Sequence, residues 1–137
     1  MKKQIIAILL LCTSLLPGCK KFIEKQKQNA LEDMITNGTW IVTRYLENGT
    51  DITPSFSGYS FKFNSNGTVT GTNLGNVVNG TWTGDVNTKT IVSDFPSASN
   101  PVDKLNAEWK ITDSYPDSVA AKTTINANIN ILNLHKQ

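Results

Sequence analysis

Two segments of the chain alternate apolar and polar side chains with a period of two. Tyr59, Phe61 and Phe63 alternate with polar neighbours, and so do Trp109 and Ile111. Successive side chains of a β-strand point to opposite faces of the sheet, so each segment would present one buried and one solvated face. These segments are the clearest predicted strands.

Turn-forming sequences divide the rest of the chain beyond residue 38 into short β-prone runs. Asn-Gly, Gly-Asp and Pro-Asp pairs between the runs are typical of tight turns. The runs predict eight strands, near residues 39–47, 58–64, 68–74, 77–83, 88–93, 106–113, 119–125 and 128–136. Eight strands joined by short turns favour an all-β fold, a small antiparallel up-and-down barrel without exposed sheet edges. An immunoglobulin-like sandwich is the alternative, although it needs longer connections between its sheets.

A different period precedes the strands. Ala30, Leu31, Met34 and Ile35 are spaced as on one face of a helix, and Gly38 can end that helix. A short N-terminal helix is therefore predicted to lead into the barrel. Before it, residues 20–28 are rich in Lys and Gln and are predicted to form a tether.

Residues 1–18 have the organisation of a secretory leader. Lys2 and Lys3 precede an uncharged apolar run, residues 5–16, which is shorter than the about 20 residues that a membrane-spanning helix needs. The sequence Leu16-Pro17-Gly18-Cys19 resembles the bacterial lipobox, in which a small residue precedes a cysteine. The resemblance implies that residues 1–18 are a lipoprotein signal peptide and that Cys19 becomes the lipid-bearing N-terminus.

A lipid on Cys19 implies an exported protein that is anchored to a membrane, because two or three acyl chains hold a protein far more firmly than one. In many lipoproteins of the inner membrane an aspartate follows the cysteine, whereas Lys20 occupies that position here. The outer membrane is the expected location, and the domain is expected on either its periplasmic or its cell-surface side. Removal of the leader also removes Cys12, so no disulfide within the mature chain is expected.

The predicted mature chain has the size of one domain and carries no excess of charge. Loss of residues 1–18 leaves 119 of the 137 residues, with residues 19–36 as lipidated cysteine, tether and helix and residues 37–137 as the barrel. Of the 13 basic residues, Lys2 and Lys3 belong to the leader, so 11 remain against 11 acidic residues. A nucleic-acid-binding domain carries a net positive charge on one face. Nucleic acid is therefore excluded as a partner.

The segment Gly38-Thr39-Trp40 resembles the start of the first strand in lipocalins, where Gly-x-Trp follows a short helical turn. Further matches follow in order: a Phe-x-Phe strand, residues 61–63, runs into an Asn-Gly-Thr turn, and a second Gly-Thr-Trp ends at Trp82. With the strand around Trp109, residues 37–136 look like the bacterial lipocalin-like lipoproteins. The resemblance implies an eight-stranded barrel that binds a small apolar ligand.

The chain departs from the lipocalin pattern in two respects. Lipocalins cover the tryptophan of the first strand with an arginine late in the barrel, whereas the one arginine here, Arg44, lies on the first strand itself. Lys136 is the candidate substitute above Trp40. The chain also offers only about 100 residues for eight strands, and small barrels are often filled by their own side chains.

Aromatic side chains and the first long loop, residues 47–57, supply the candidate ligand contacts. In lipocalins this loop is a lid over the barrel mouth, so its apolar residues are candidates together with the inward aromatic residues. The candidates are Trp40, Ile52, Phe56, Tyr59, Phe61, Trp82 and Trp109. The alternatives are that the aromatic residues form the core, since burial of one Trp stabilises by about 5 kcal/mol, and that the loop is a packed Ω-loop.

The tripeptide Asn-Gly-Thr occurs four times, beginning at Asn37, Asn48, Asn66 and Asn79. It fits the pattern for N-glycosylation, but a lipobox implies a bacterium. All four are therefore predicted to be turns in which glycine supplies a positive φ.

Catalysis has little support in the sequence. His135 is the one histidine and Cys19 the one mature cysteine, so neither a nucleophile–base pair nor a His/Cys metal set can be assembled. We expect no enzyme activity, metal or cofactor; a hydrolase using two carboxylates is the remote alternative, with candidates Glu47, Asp51, Glu108, Asp113 and Asp117. The expected functions are binding of a small apolar ligand or, alternatively, interaction with another envelope protein, with the oligomeric state open.

Overall fold

The computed structural model describes residues 17–137, and over that range it contains one α-helix, nine strands and two 3-10 helices. Residues 1–16, which hold most of the predicted leader, lie outside the described residues. The elements are α1 Pro17–Thr36, β1 Trp40–Glu47, β2 Thr50–Asp51, β3 Ser60–Phe63, β4 Thr68–Asn73, β5 Asn76–Asp85, β6 Thr90–Asp94, β7 Ala107–Tyr115, β8 Ser118–Ile125 and β9 Asn128–Lys136, with 3-10 helices at Thr53–Phe56 and Val102–Leu105.

Eight of these strands form a closed antiparallel barrel. From β3 to β9 each strand pairs with the next along the chain, and β1 closes the barrel by pairing with both β9 and β3. The β1–β9 ladder runs from Trp40 opposite Lys136 to Glu47 opposite Asn130. The short β2 adds an extra strand against the end of β1. The predicted up-and-down barrel behind an N-terminal helix is confirmed, and the sandwich alternative is wrong.

The alternation of side chains places the core inside the barrel. Phe61 and Phe63 are buried and Lys62 between them is exposed, while Trp109 is buried between exposed Glu108 and Lys110. Both segments are strands, as their period of two predicts.

The barrel has two differently built ends, which we call the helix end and the loop end. The helix end carries α1 and the turns at residues 64–67, 86–89 and 116–117. The loop end carries the long loops at residues 48–59 and 95–106 and the short turns at residues 74–75 and 126–127. Because neighbouring strands run antiparallel, the start of β1 lies at the helix end and the start of β3 at the loop end.

The helix is longer than the periodicity predicts, since it begins at Pro17 and includes the whole predicted tether. Lys, Gln and Glu, which dominate residues 20–28, are good helix formers even without an apolar stripe. Side-chain hydrogen bonds with the barrel begin at Gln28, whose side-chain amide donates to the carbonyl of Gly84 at 2.7 Å and accepts from the amide of Val86 at 3.1 Å. Ile35, near the other end of the helix, is buried in the core.

Three of the four Asn-Gly-Thr segments lie in turns or links with a positive φ at glycine, at Gly38, Gly49 and Gly67. The prediction is wrong for the fourth, which lies within β5. Gly80 does not have a positive φ there. Its missing side chain leaves room for the backbone carbonyl of Asp94, which would be the nearest atom to a Cβ at this position, and for the ring of Phe95, whose Cδ1 would be 2.7 Å away. The lack of space for a side chain therefore explains the glycine at this position, although the local sequence is typical of a turn.

Candidate functional site

The candidate ligand residues separate into two groups. Trp40, Phe61 and Trp109 line the central cavity of the barrel. The other four lie around it, since Trp82 packs edge-on against Phe63 near the helix end and Ile52, Phe56 and Tyr59 lie at the loop end. The assignment of all seven to ligand contact stays a prediction.

Aromatic rings form a continuous chain through the loop half of the barrel. Centroid distances of 5.3 to 6.5 Å join neighbouring rings in the order Trp109, Tyr45, Phe56, Tyr59, Phe61 and Phe95. These separations are typical of stabilising stacked and edge-on pairs. The rings therefore contact one another across the space that a carrier would keep for its ligand.

The central cavity that remains has a volume of about 40 Å³ and an almost wholly apolar lining. Pockets for drug-sized molecules usually measure about 300–1,000 Å³. A volume of about 40 Å³ suits one or two water molecules, but water needs two or more polar partners, which this lining does not supply. Every buried side-chain nitrogen and oxygen in residues 17–137 already has a hydrogen-bond partner.

The helix end is closed by α1 together with Lys136. The indole nitrogen of Trp40 donates to the carbonyl of Ile35 at 2.8 Å, which fixes the helix on the barrel. The ammonium of Lys136 lies 5.0 Å from the centre of the Trp40 ring and donates to the carbonyl of Met34 at 3.2 Å. Lys136 thus occupies the position above Trp40 for which it was the candidate.

Gly38 makes this arrangement sterically possible. A Cβ there would lie 2.8 Å from Cδ of Lys136, and the backbone has a φ of +96° that other residues rarely adopt. The Gly-x-Trp segment therefore has a local physical role, in which glycine admits the lysine stem that covers the tryptophan.

The loop end is closed by the two long loops. Phe56 is 2% exposed and stacks on Tyr45, so the first loop is folded into the core at this residue. From the second loop, the carbonyl of Lys104 accepts a 2.8 Å hydrogen bond from the Tyr45 hydroxyl, and the Lys104 ammonium lies 2.6 Å from Glu47. Burial raises the pKa of Tyr45 to about 12, with a smaller contribution from the nearby charge of Glu47.

Several residues that seal the interior were not singled out by the sequence. Phe95, Val102 and Leu105 of the second loop are buried, and the carbonyl of Leu105 accepts from the Trp109 indole at 3.0 Å. The segment has no period of two, but its apolar residues among turn-forming residues, Phe95-Pro96 and Val102 after Pro101, are a signal of a folded loop. Tyr45 belongs to the predicted first strand and is fully buried.

A larger, open cavity of about 350 Å³ lies at the rim of the helix end, between α1 and β7. Its lining comes from the helix, the β5–β6 turn and β7: Leu31, Asp85, Val86, Lys89, Ile111, Thr112, Asp113 and Ser114. The Asp85 carboxylate accepts from the amides of Asn87 and Thr88 in its own turn. Asp113 accepts from the amide of Ser114. Both carboxylates thus make local backbone hydrogen bonds.

Carboxylates proposed for the hydrolase alternative also make local contacts. Hydrogen bonds from Thr53 hold the pKa of the Asp51 carboxyl below its usual value. Asp117 lies 3.9 Å from the His135 ring, and both side chains are more than half exposed. Within residues 17–137 no three His, Cys, Asp or Glu side chains are grouped closely enough to hold a metal ion.

Cys19 lies in the first turn of α1, and its side chain is exposed. The thiol is therefore accessible in the described structure. Over residues 17–137, no helix combines the length and the apolar character that crossing a membrane requires.

The comparisons with known proteins support the fold and give no function. No protein-family model and no curated protein matches the sequence. Among solved structures, the chain is similar to the crystal structure, at 1.00 Å resolution, of a DUF4847 family protein from Bacteroides vulgatus ATCC 8482. The TM-score is 0.57 and the identity 16%, over 78% of this chain and 99% of that chain. At this identity the similarity concerns the fold alone.

Proposed function

We propose that this protein is a non-catalytic interaction module of the bacterial envelope, held on the outer membrane by lipid on Cys19. The barrel acts as a rigid support, and loops at its loop end contact another envelope protein. The lipobox resemblance supports lipid attachment at Cys19, and Lys20 after the cysteine supports location in the outer membrane. The interaction role is the function that the geometry of the barrel favours.

The filled interior carries this proposal. Its cavity of about 40 Å³ is far below the volume of usual ligand pockets. Entry of a ligand from the loop end would require removal of Phe56 from its stack on Tyr45 and rupture of the contacts of Lys104. Carriage of a small apolar ligand, which the lipocalin resemblance implies, stays a prediction that this closed interior does not support.

Leu74 supports the loop end as the contact surface. It lies in the two-residue turn between β4 and β5, is 95% exposed, and has a φ of +48°. A branched apolar residue is unfavourable in this left-handed conformation, which Asn or Gly adopts readily. Strained residues often mark functional sites, and an exposed leucine at such a site suits an apolar contact with a partner.

The proposal is tested by photo-crosslinking in intact cells. A photoreactive residue is placed at Leu74 and, as the control, at Thr83, an exposed position on β5 near the helix end. We expect a specific envelope protein to be captured from position 74 and not from position 83. A photoreactive residue at Asn76 then reports the same partner with Leu74 intact and loses it in Leu74→Asn.

Capture of the same proteins from both positions, or of none from position 74, would contradict the proposal. Because Asn suits the turn conformation, Leu74→Asn keeps the barrel folded. Loss of capture in this variant therefore reports the contact itself and not unfolding.

A further inference from the structure

The helix α1 has two opposite faces with different surroundings. Glu24, Gln28, Leu31 and Ile35 follow each other at helical spacing, and all four are half-buried or buried, which defines the side of the helix that faces the barrel. Direct hydrogen bonds with the barrel begin at Gln28, so the turns before it extend past the rim at the β5–β6 turn.

The face opposite the barrel carries exposed apolar side chains beside Cys19. Cys19, Phe22 and Ile23 have the spacing i, i+3 and i+4, which places them on one side of the helix. Phe22 is 62% exposed and Ile23 51% exposed. Lipid on Cys19 would therefore leave the helix from the same side as these two residues.

Lysines flank this apolar face on both sides. At about 3.6 residues per turn, Lys20 and Lys27 lie along one border and Lys25 along the other, whereas Lys21 lies on the side of the barrel-facing residues. All four are exposed, and Glu24 is the one acidic residue among residues 19–27. An apolar strip bordered by lysines is the pattern of helices that lie in the interface of anionic membranes, where long lysine side chains reach the phosphates.

The geometry points to residues 19–27 of α1 as a membrane-contact site that lies flat on a surface of anionic phospholipid, with Phe22 and Ile23 inserted among the headgroups. This inference rests on the lipid anchor of the proposed function and deepens it. Since the barrel packs on the other side of the helix, α1 lies between bilayer and barrel. The helix end then faces the membrane and the loop end points away from it.

The contact is tested with the full protein, purified from membranes of producing cells, in which Phe22→Trp provides a reporter. The protein is reconstituted into vesicles of phosphatidylglycerol and phosphatidylcholine whose acyl chains are brominated. The emission of the unchanged protein is the background that is subtracted from the emission of each variant. It comes from Trp40, Trp82 and Trp109, which are at most 6% exposed. Val77→Trp is the matched control, because Val77 is 58% exposed on β5 near the loop end.

We expect the added emission of Phe22→Trp to shift to the blue and to be quenched by the brominated lipid several times more strongly than that of Val77→Trp. Change of Lys20, Lys25 and Lys27 to Gln should reduce this quenching to the level measured in vesicles of phosphatidylcholine alone. Equal quenching of the two reporters by aqueous iodide would overturn the inference. A blue shift of the Phe22→Trp emission that depends on protein concentration and needs no vesicles would assign the face to a second copy of the chain instead.

The intact mass of the same sample shows whether Cys19 carries lipid, so the anchor and the helix contact are tested separately. If Cys19 carries lipid but the tryptophan of Phe22→Trp is exposed to water, the lipid anchor is confirmed and the helix contact is refuted. If Cys19 carries no lipid, the anchor fails, and addition of the same protein to preformed vesicles decides the helix contact by the same quenching.

Discussion

Phe61 and Gly71 provide a quantitative test of the filled barrel. They are opposite each other on β3 and β4, and a Cβ on Gly71 would lie 2.9 Å from Cε1 and 3.2 Å from Cδ1 of the Phe61 ring. Gly71 does not have a positive φ, so alanine is acceptable to its backbone. The ring of Phe61 therefore occupies the space that the added methyl group needs.

The expected energies follow from this geometry. Gly71→Ala should destabilise by about 1–3 kcal/mol through overpacking, offset by about 0.5–1 kcal/mol from the lower entropy of the unfolded chain. Phe61→Ala should cost about 3–5 kcal/mol. In the double variant the methyl group lies in the vacated space, so Gly71→Ala should be neutral or stabilising there. The coupling energy is then about 1–3 kcal/mol.

Urea denaturation, followed by tryptophan fluorescence, measures the four free energies of unfolding. The protein used begins at residue 19 with Cys19→Ser, so that no lipid is attached. The control cycle pairs Gly71→Ala with Phe63→Ala, because the ring of Phe63 packs against Trp82. Coupling there should be below about 0.5 kcal/mol. Additive effects of Phe61→Ala and Gly71→Ala would refute the packing on which the filled barrel depends.

Three further variants test the closure of the barrel ends. The pKa of Tyr45 is raised from 10.0 to about 12 by burial. The contribution of Tyr45 to the free energy of unfolding should therefore be constant below about pH 10 and fall by about 3 kcal/mol up to about pH 12, so Tyr45→Phe should show a smaller fall in alkaline denaturation. Leu74→Asn should raise the free energy of unfolding by about 1 kcal/mol, and a lower value in urea would contradict backbone strain at this turn. Lys136→Met keeps the stem over Trp40 but loses the ammonium, so it should cost about 1–2 kcal/mol; an unchanged thermal midpoint would show that the ammonium contributes nothing.

The strands and their order follow from local patterns in the sequence. Alternation at residues 59–63 and around Trp109 reflects one buried and one solvated face, and the Asn-Gly turn at residues 48–49 fixes one hairpin. Such signals involve neighbours along the chain, so they can be found without the structure. The position of Lys136 over Trp40 joins the last strand to the first and became predictable through the lipocalin resemblance.

The filling of the interior could not be predicted in the same way. It depends on Phe56 and Phe95, which come from loops without periodicity and meet the barrel core through long-range contacts. Gly80 shows the same limit, because its close approach to Phe95 overrides the Asn-Gly turn signal. Volume inside a barrel is set by all inward side chains together, so no local pattern determines it.

Mass spectrometry of the protein purified from its own envelope tests both parts of the proposal, the lipid anchor and the barrel filled by its own side chains. Its mass is measured twice, under native and under denaturing conditions. We expect the same mass in both, corresponding to a chain that begins at Cys19 and carries covalent lipid. A native mass that exceeds the denatured mass by a reproducible small molecule would contradict the filled barrel and establish a carrier.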